Sequence, residues 1–358
     1  MHATTVAIDL AKTVFQLAIS TGTDRPVKYL RLTRPQFERW FDNRSVSLVL
    51  MEACSSAHHW ARVFQARSIA VRLLPPHQIR PYVRRNKTDA ADALALLEAN
   101  RCSDIFPVPV KSVEQQALQL LHRARDQWTG SQNRAINNLR GACNEFGLVI
   151  REGARRGLEH IASVLADESS PIPQMLRATM RAELDEARLL AQRLQNLERE
   201  LSAIAAASRA CELLESVPGI GLITSTALAA KTGGDVSMYR GNRRFASSFG
   251  LTPKEDSSGS HRRLGRISKR GDGYIRKLLT HGARSLLLAA TIAQRNGKPL
   301  DTLRTWALAL QARTHRNKAV CALANKLARI CYAVLRDQVP YHGVRSRARR
   351  TTLMATAT

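Results

Sequence analysis

Aromatic residues make up only 5% of this chain, too few for the stacking platforms on which single-strand binders lay successive bases. The six cysteines (Cys54, Cys102, Cys143, Cys211, Cys321 and Cys331) are scattered, with no C-x-x-C pair. That spacing argues against a zinc site or a disulfide framework and suits a reducing cytoplasm. Apolar runs are short: stretches such as SLLLAATIA at 285–293 are too brief to span a bilayer. Asp9 and Lys12 interrupt the N-terminus before a signal-peptide core can form. Acid is scarce as well. Asp plus Glu total 29 against 55 Lys plus Arg, and the resulting net charge of +26 points to nucleic acid as the partner.

What is there is enough to fold. The apolar share is 44%, which excludes a disordered chain, and 358 residues suffice for two or three domains. The first hundred residues alternate strand and helix. TTVAID (4–9), VFQLAIS (14–20) and PVKYLRLT (26–33) read as strands, and PQFERWFDN as a helix with Pro35 near its start. SLVLMEA (47–53) reads as a buried strand, HHWARVFQARS as a helix, and AVRLLPP (70–76) as a fifth strand ended by prolines. The first three strands can form an antiparallel meander, with the other two added beside the first.

From 88 to 148 the pattern is helical, polar and rich in Arg, as for a solvated helix or one lying along a nucleic acid backbone. Leu190, Leu194, Leu197, Leu201 and Ile204 then repeat at 4, 3, 4, 3, the seam of a coiled coil, with Leu184 and Ala187 upstream. An internal helix pair fits this seam; a self-association arm fits it better, because polar residues surround the stripe. A second globular unit begins near Leu213 with helix, tight turn and helix, followed by a loop at 250–272 and helices to about 336. The end of the chain, 341–358, reads as a basic, disordered tail.

Four of the rare acids stand where chemistry would use them. Asp9 and Glu52 lie at the ends of strands one and four, which as parallel neighbours share one rim of a sheet. Asp89 and Asp92 lie three apart on one helix face. Two carboxylates about 4 Å apart repel by about 4 kcal/mol at an effective dielectric near 20, so a gathered set calls for cations. Mg²⁺ fits, because it prefers oxygen ligands and also binds phosphate oxygens. Taken singly, each acid reads better as a helix cap or a surface group; it is the ordered set that favours a metal site.

Two further stretches stand out. Val217-Pro218-Gly219-Ile220-Gly221 joins two helices. Gly219 and Gly221 there allow a turn whose N–H groups suit a phosphate oxygen, as in a helix-hairpin-helix, or simply an ordinary tight turn. In the loop, Ser257, Ser258 and Ser260 surround Gly259, and Arg262, Arg263, Arg266, Lys269 and Arg270 follow. Such a loop reads first as a plain phosphate binder; the sharper alternative is a serine that attacks phosphorus, given a base or metal to take its proton.

The ordered set Asp9, Glu52, Asp89, Asp92, with KTDAADA, SVPGIG, FASSFGLTP and SSGSHRRLGRISKRGD, resembles the DEDD transposases of the "insertion sequence one-ten" family. EACSSAHHWAR resembles its "eleven-eleven" subgroup. The resemblance covers about 5–150 and 210–336. It implies a RuvC-like domain of the ribonuclease H fold with trailing helices at 1–153 and a mainly α-helical transposase domain at 208–340, and the leucine spacing puts a helical coiled-coil segment between them at 154–207. It implies Mg²⁺ held by the four acids and a covalent 5′-phosphoserine link to DNA. The serine before Gly is Ser258, with Ser257 and Ser260 close beside it. The resemblance also implies double-stranded donor and target DNA, a structured guide RNA, and dimers or tetramers in which one subunit's acids face another's serine. Base pairing would then read sequence while Arg and Lys hold backbones. The rival readings are a junction-resolvase-like nuclease that uses water, and a non-catalytic nucleic-acid binder.

Overall fold

The structure, a computed structural model, describes residues 4–22, 27–83 and 88–342. Lys87 of the KTDAADA block, and the tail from residue 343 onward, lie outside the described residues. By contacts the chain divides into two compact units, Met1–Val113 and Glu114–Thr358.

The first unit is built on five strands: β1 (Thr5–Leu10), β2 (Val14–Ser20), β3 (Lys28–Thr33), β4 (Leu48–Glu52) and β5 (Ala70–Leu74). Their order is β3-β2-β1-β4-β5. The first three pair antiparallel; β4 pairs parallel with β1, and β5 parallel with β4. This is the arrangement the apolar runs predict. The central strands are apolar on both faces because both faces are covered. Val6, Ile8, Val49 and Met51 pack toward helices α1 (Arg34–Trp40) and α2 (Ala57–Ala66). Ala7 and Leu50 face the opposite layer, which includes the short α3 (Pro76–Ile79) and α4 (Asp89–Asn100).

A capping box, Thr33 with Gln36, starts α1, and the Thr88 hydroxyl caps α4 by accepting from the Ala91 N–H at 3.2 Å. Several of the scarce aromatics are spent in this core. Phe15 stacks on Phe37 with centroids 4.3 Å apart, and Trp60 meets Phe37 edge-on at 4.9 Å. Used this way, they are withheld from nucleic acid bases.

In the second unit, α5 (Val113–Glu145) and α7 (Gln174–Ala206) are 33-residue helices with α6 (Ala154–Ala166) between them. Most of the leucine seam of α7 is buried inside the chain. Leu184 and Ala187 pack with Ile136, Leu139 and Cys143 of α5 and with Ile161 of α6; Leu201 packs with Leu118. Over most of its length the heptad serves an internal helix pair, the lesser of the two readings, while Ile204 at its end stays exposed. The buried Arg177 guanidinium donates to the carbonyls of Leu165, Asp167, Ser170 and Ile172 and so ties α7 to the end of α6.

Helices α8 (Arg209–Glu215), α9 (Leu222–Thr232), α10 (Asn242–Ser247), α11 (Gly273–Arg295), α12 (Thr302–Arg313) and α13 (Arg316–Asp337) share the largest apolar core. Between α10 and α11, strands β6 (Pro253–Glu255) and β7 (Leu264–Ile267) pair antiparallel. A hairpin therefore stands where the sequence reads as a loop.

A buried histidine links α5, α9 and α11. His122 is 3% exposed, with Nδ1 3.1 Å from the Tyr274 hydroxyl and Nε2 3.1 Å from Thr226 Oγ1. The Thr226 hydroxyl donates to the Leu222 carbonyl at 2.6 Å, so Nε2 carries the ring proton and Nδ1 accepts from Tyr274. Burial, aided by the nearby Arg125 charge, lowers its pKa to about 4. The unfolded histidine titrates near 6.5, so below that pH the unfolded state binds the proton first. The stabilisation is complete above about pH 6.5 and is lost as pH falls toward 4, on the order of 3 kcal/mol in all. His122→Gln should flatten that dependence. Urea midpoints at pH 7.5 and 4.5 test it, and an equal loss in parent and variant would count against it.

Candidate active site

The acids first. The parallel register pairs Ile8 with Met51, so Asp9 and Glu52 follow side by side at the carboxyl ends of β1 and β4. Strand alternation turns both away from the Ile8–Met51 face and toward the layer of α4. Both are half-buried. Burial raises the pKa of the Cys54 thiol, and the charges of Glu52 and then Asp9 raise it further, so one group senses both carboxylates. Asp89 and Asp92 occupy the first turn of α4, where they also complement the helix dipole. Asp89 is exposed and Asp92 half-buried. Among the described residues, no three or more His, Cys, Asp or Glu side chains form a group that could hold a metal ion.

The serines come second. The chain enters the hairpin through Gly250, with φ +69°, and leaves through Gly271, with φ +86°. Residues 253–266 are all exposed. At the tip, Ser258 and His261 exchange both backbone hydrogen bonds, at 3.3 and 3.1 Å, across a Gly259–Ser260 turn. The Ser257 hydroxyl is committed to the hairpin: it donates to Glu255 Oε1 at 3.0 Å and accepts from the Arg263 N–H at 3.1 Å. Ser260 Oγ lies 3.3 Å from His261 Nδ1. The Ser258 hydroxyl makes no hydrogen bond among the described residues. Arg262, Arg263, Arg266, Lys269 and Arg270 are exposed, with Arg262 paired to Glu255 at 3.1 Å.

The glycine turn comes third. Gly219 has φ +86°, and a Cβ there would meet the Gly282 carbonyl of α11 at 2.8 Å. Backbone therefore packs on backbone, which gives Gly219 a structural duty. Gly221 lies exposed just before α9 and has φ −112°, an angle open to any residue.

Sequence comparison adds the family. A DEDD-type transposase family of the IS110 group matches residues 6–146, and the family described as "Transposase IS116/IS110/IS902 family" matches 211–296. A "Probable family 20 transposase" of Pseudomonas aeruginosa is 38% identical over 342 residues, covering 95% of this chain and 99% of its own length. The chain belongs to this transposase family. Also similar are the Coxiella burnetii "Transposase for insertion sequence element IS1111A", 34% identical over 94% of this chain and 90% of its own, and the Yersinia enterocolitica transposase for IS1328, 33% identical over 93% and 97%.

Transposases cut and join DNA, and a DEDD type implies a divalent ion for that work. In this transposase the first matched stretch contains Asp9, Glu52, Asp89 and Asp92; the second contains the glycine turn, Ser258 and the basic residues. The carboxylates are hard oxygen donors, the right chemistry for such an ion. Other polar residues have structural roles. His58 accepts from the Lys111 N–H at 3.2 Å, and Arg276 donates to the Phe249 carbonyl at 2.8 Å. His281 and Arg284 are exposed on α11. No described helix is long and apolar enough to cross a membrane. Sequence reasoning missed His261 as the hairpin partner of Ser258. The available signal was Gly259 as the first residue of a two-residue turn.

Proposed function

We propose that this transposase is a Mg²⁺-dependent recombinase that mobilises an insertion sequence through a covalent phosphoserine link, with Ser258 as nucleophile. The observation that carries the reading is the committed Ser257 hydroxyl beside the uncommitted Ser258 hydroxyl, on an exposed hairpin flanked by basic residues. Arg263, Arg266, Lys269 and Arg270 bind the scissile strand and offset its charge. Asp9 and Glu52, side by side at the sheet rim, would hold the metal together with Asp89 and Asp92 from the first turn of α4, and the ion when bound would stabilise charge on phosphate oxygens. The strand order β3-β2-β1-β4-β5 supports a RuvC-like, ribonuclease H assignment for the first unit. The exposed Gly221 turn adds a weak, sequence-independent phosphate contact.

The low aromatic content and large positive charge support a protein that holds backbones while a structured RNA, paired to donor and target DNA, reads sequence. Dimers or tetramers would draw mainly on surface other than the buried part of the α7 seam.

The test uses the full chain with its copurifying RNA, a divalent cation and labelled duplex carrying the ends of its own insertion sequence. A protein–DNA adduct that survives denaturation should form with the parent and vanish with Ser258→Ala. Cut products with free ends and no adduct would instead favour a water-using, junction-resolvase-like nuclease.

A further inference from the structure

We propose that His261 is the proton acceptor for Ser258, an inference that rests on the serine reading above. Because Ser258 and His261 exchange both backbone hydrogen bonds, they are directly opposed residues of an antiparallel pair. Their side chains leave the same face of the hairpin, with Cβ atoms about 5 Å apart. Gly259, with φ +55°, sits at the first central position of the two-residue turn, the place where such turns take glycine.

Alternation sorts the other side chains. Glu255, Ser257 and Arg262 share the opposite face, as their mutual hydrogen bonds attest: Ser257 Oγ and Arg262 Nε both donate to Glu255 Oε1, at 3.0 and 3.1 Å. The Ser258 face therefore carries Asp256, His261 and Arg263. Asp256 donates its N–H to the Arg263 carbonyl at 3.0 Å, which places that pair one step back from the tip. His261, its Nδ1 now 3.3 Å from Ser260 Oγ, thus leaves the backbone directly across from the uncommitted Ser258 hydroxyl, with Asp256 and Arg263 on the same face.

A serine hydroxyl attacks phosphorus only if its proton is taken. Imidazole is a common proton acceptor in such chemistry, and rotation about its side-chain bonds brings a ring nitrogen toward Ser258 Oγ. As Oγ bonds to phosphorus, its proton passes to the neutral ring. The bond from phosphorus to the 3′ oxygen breaks, and the imidazolium returns the proton to that oxygen. The products are a 5′-phosphoserine and a free 3′ hydroxyl. In the joining step a 3′ hydroxyl gives its proton to the ring as it attacks phosphorus, and Ser258 Oγ leaves and takes that proton. Arg263 faces the charge that builds on the non-bridging oxygens.

The experiment is single-turnover adduct formation by the full chain on labelled insertion-sequence ends. His261→Ala, an exposed substitution, should slow the adduct by about 100-fold or more and leave retention of the same DNA unchanged. Added imidazole should restore part of the rate. An adduct formed at the parent rate by His261→Ala overturns the proposal. So does a loss that imidazole fails to restore, because His261 would then only hold the turn. Adduct loss in Ser260→Ala but not in Ser258→Ala overturns it as well, since Ser260 is the hydroxyl 3.3 Å from the ring. If the parent forms no adduct, the serine reading itself fails, and this inference fails with it.

Discussion

Asp9→Asn should abolish strand cleavage while the protein stays folded and still holds DNA. The substitution keeps the shape of the side chain and removes its charge. Asp9 is half-buried at the rim of β1, beside Glu52, on the face covered by α4. An amide is a poor substitute for a carboxylate toward a hard divalent ion. Metal stabilisation of transition-state charge is worth several kcal/mol, and each 1.36 kcal/mol is tenfold in rate, so a loss of about 10³-fold or more is expected. Holding DNA depends on phosphate contacts from Lys and Arg, which the substitution does not touch. Cleavage rates with and without EDTA, beside filter retention of the same duplex, separate the two effects. Cleavage by Asp9→Asn at the parent rate, unaffected by EDTA, would remove the tetrad from the chemistry.

The sheet and its rim were legible because burial writes itself into apolar runs. Val6, Ala7 and Ile8 are fully buried between two layers, and so are Val49, Leu50 and Met51. A run of that kind, ended by an acid, marks both the strand and the position of Asp9 or Glu52. Periodicity also found the α7 stripe, but it says which face is buried and never against what. Leu184 and Leu201 could not announce that α5 and α6 were their partners. The hairpin was illegible for the opposite reason. Residues 253–266 are all exposed, so no alternation of apolar and polar residues marks β6 or β7. Backbone pairing and a glycine turn make that hairpin, and neither leaves a hydropathy signal. At Gly219 only the turn was legible, because its positive φ also serves a backbone contact with Gly282, distant in sequence.

Gly271→Ala should disable the transposase by releasing the base of that hairpin, whereas Gly265→Ala should be nearly silent. A Cβ on Gly271 would lie 2.0 Å from the Ser248 carbonyl, and one on Gly250 would lie 2.2 Å from the Arg270 carbonyl. These glycines let the entering and leaving segments touch. Three backbone bonds lock the contact: Ser268 N–H to the Thr252 carbonyl at 2.8 Å, Lys269 N–H to Gly250 at 3.1 Å, and Asp272 N–H to Ser248 at 3.0 Å. Asp272 then caps α11 by accepting from the N–H groups of Tyr274 and Ile275. A methyl group at 271 meets backbone, which cannot turn aside as a side chain can, and its φ of +86° resists any Cβ. Overpacking of about 1–3 kcal/mol and a left-handed penalty of about 1–2 kcal/mol together reach about 3 kcal/mol. In a unit of this size that lowers the melting temperature by roughly 6–12 °C. At Gly265 the nearest atom to an added Cβ is the Lys254 carbonyl oxygen at 3.8 Å, an ordinary contact. Thermal melts and adduct yields of the two variants make the comparison; equal losses would mean that the glycine interlock does not hold the hairpin. With no apolar core of its own, the hairpin depends on that interlock to keep Ser258 and His261 presented together.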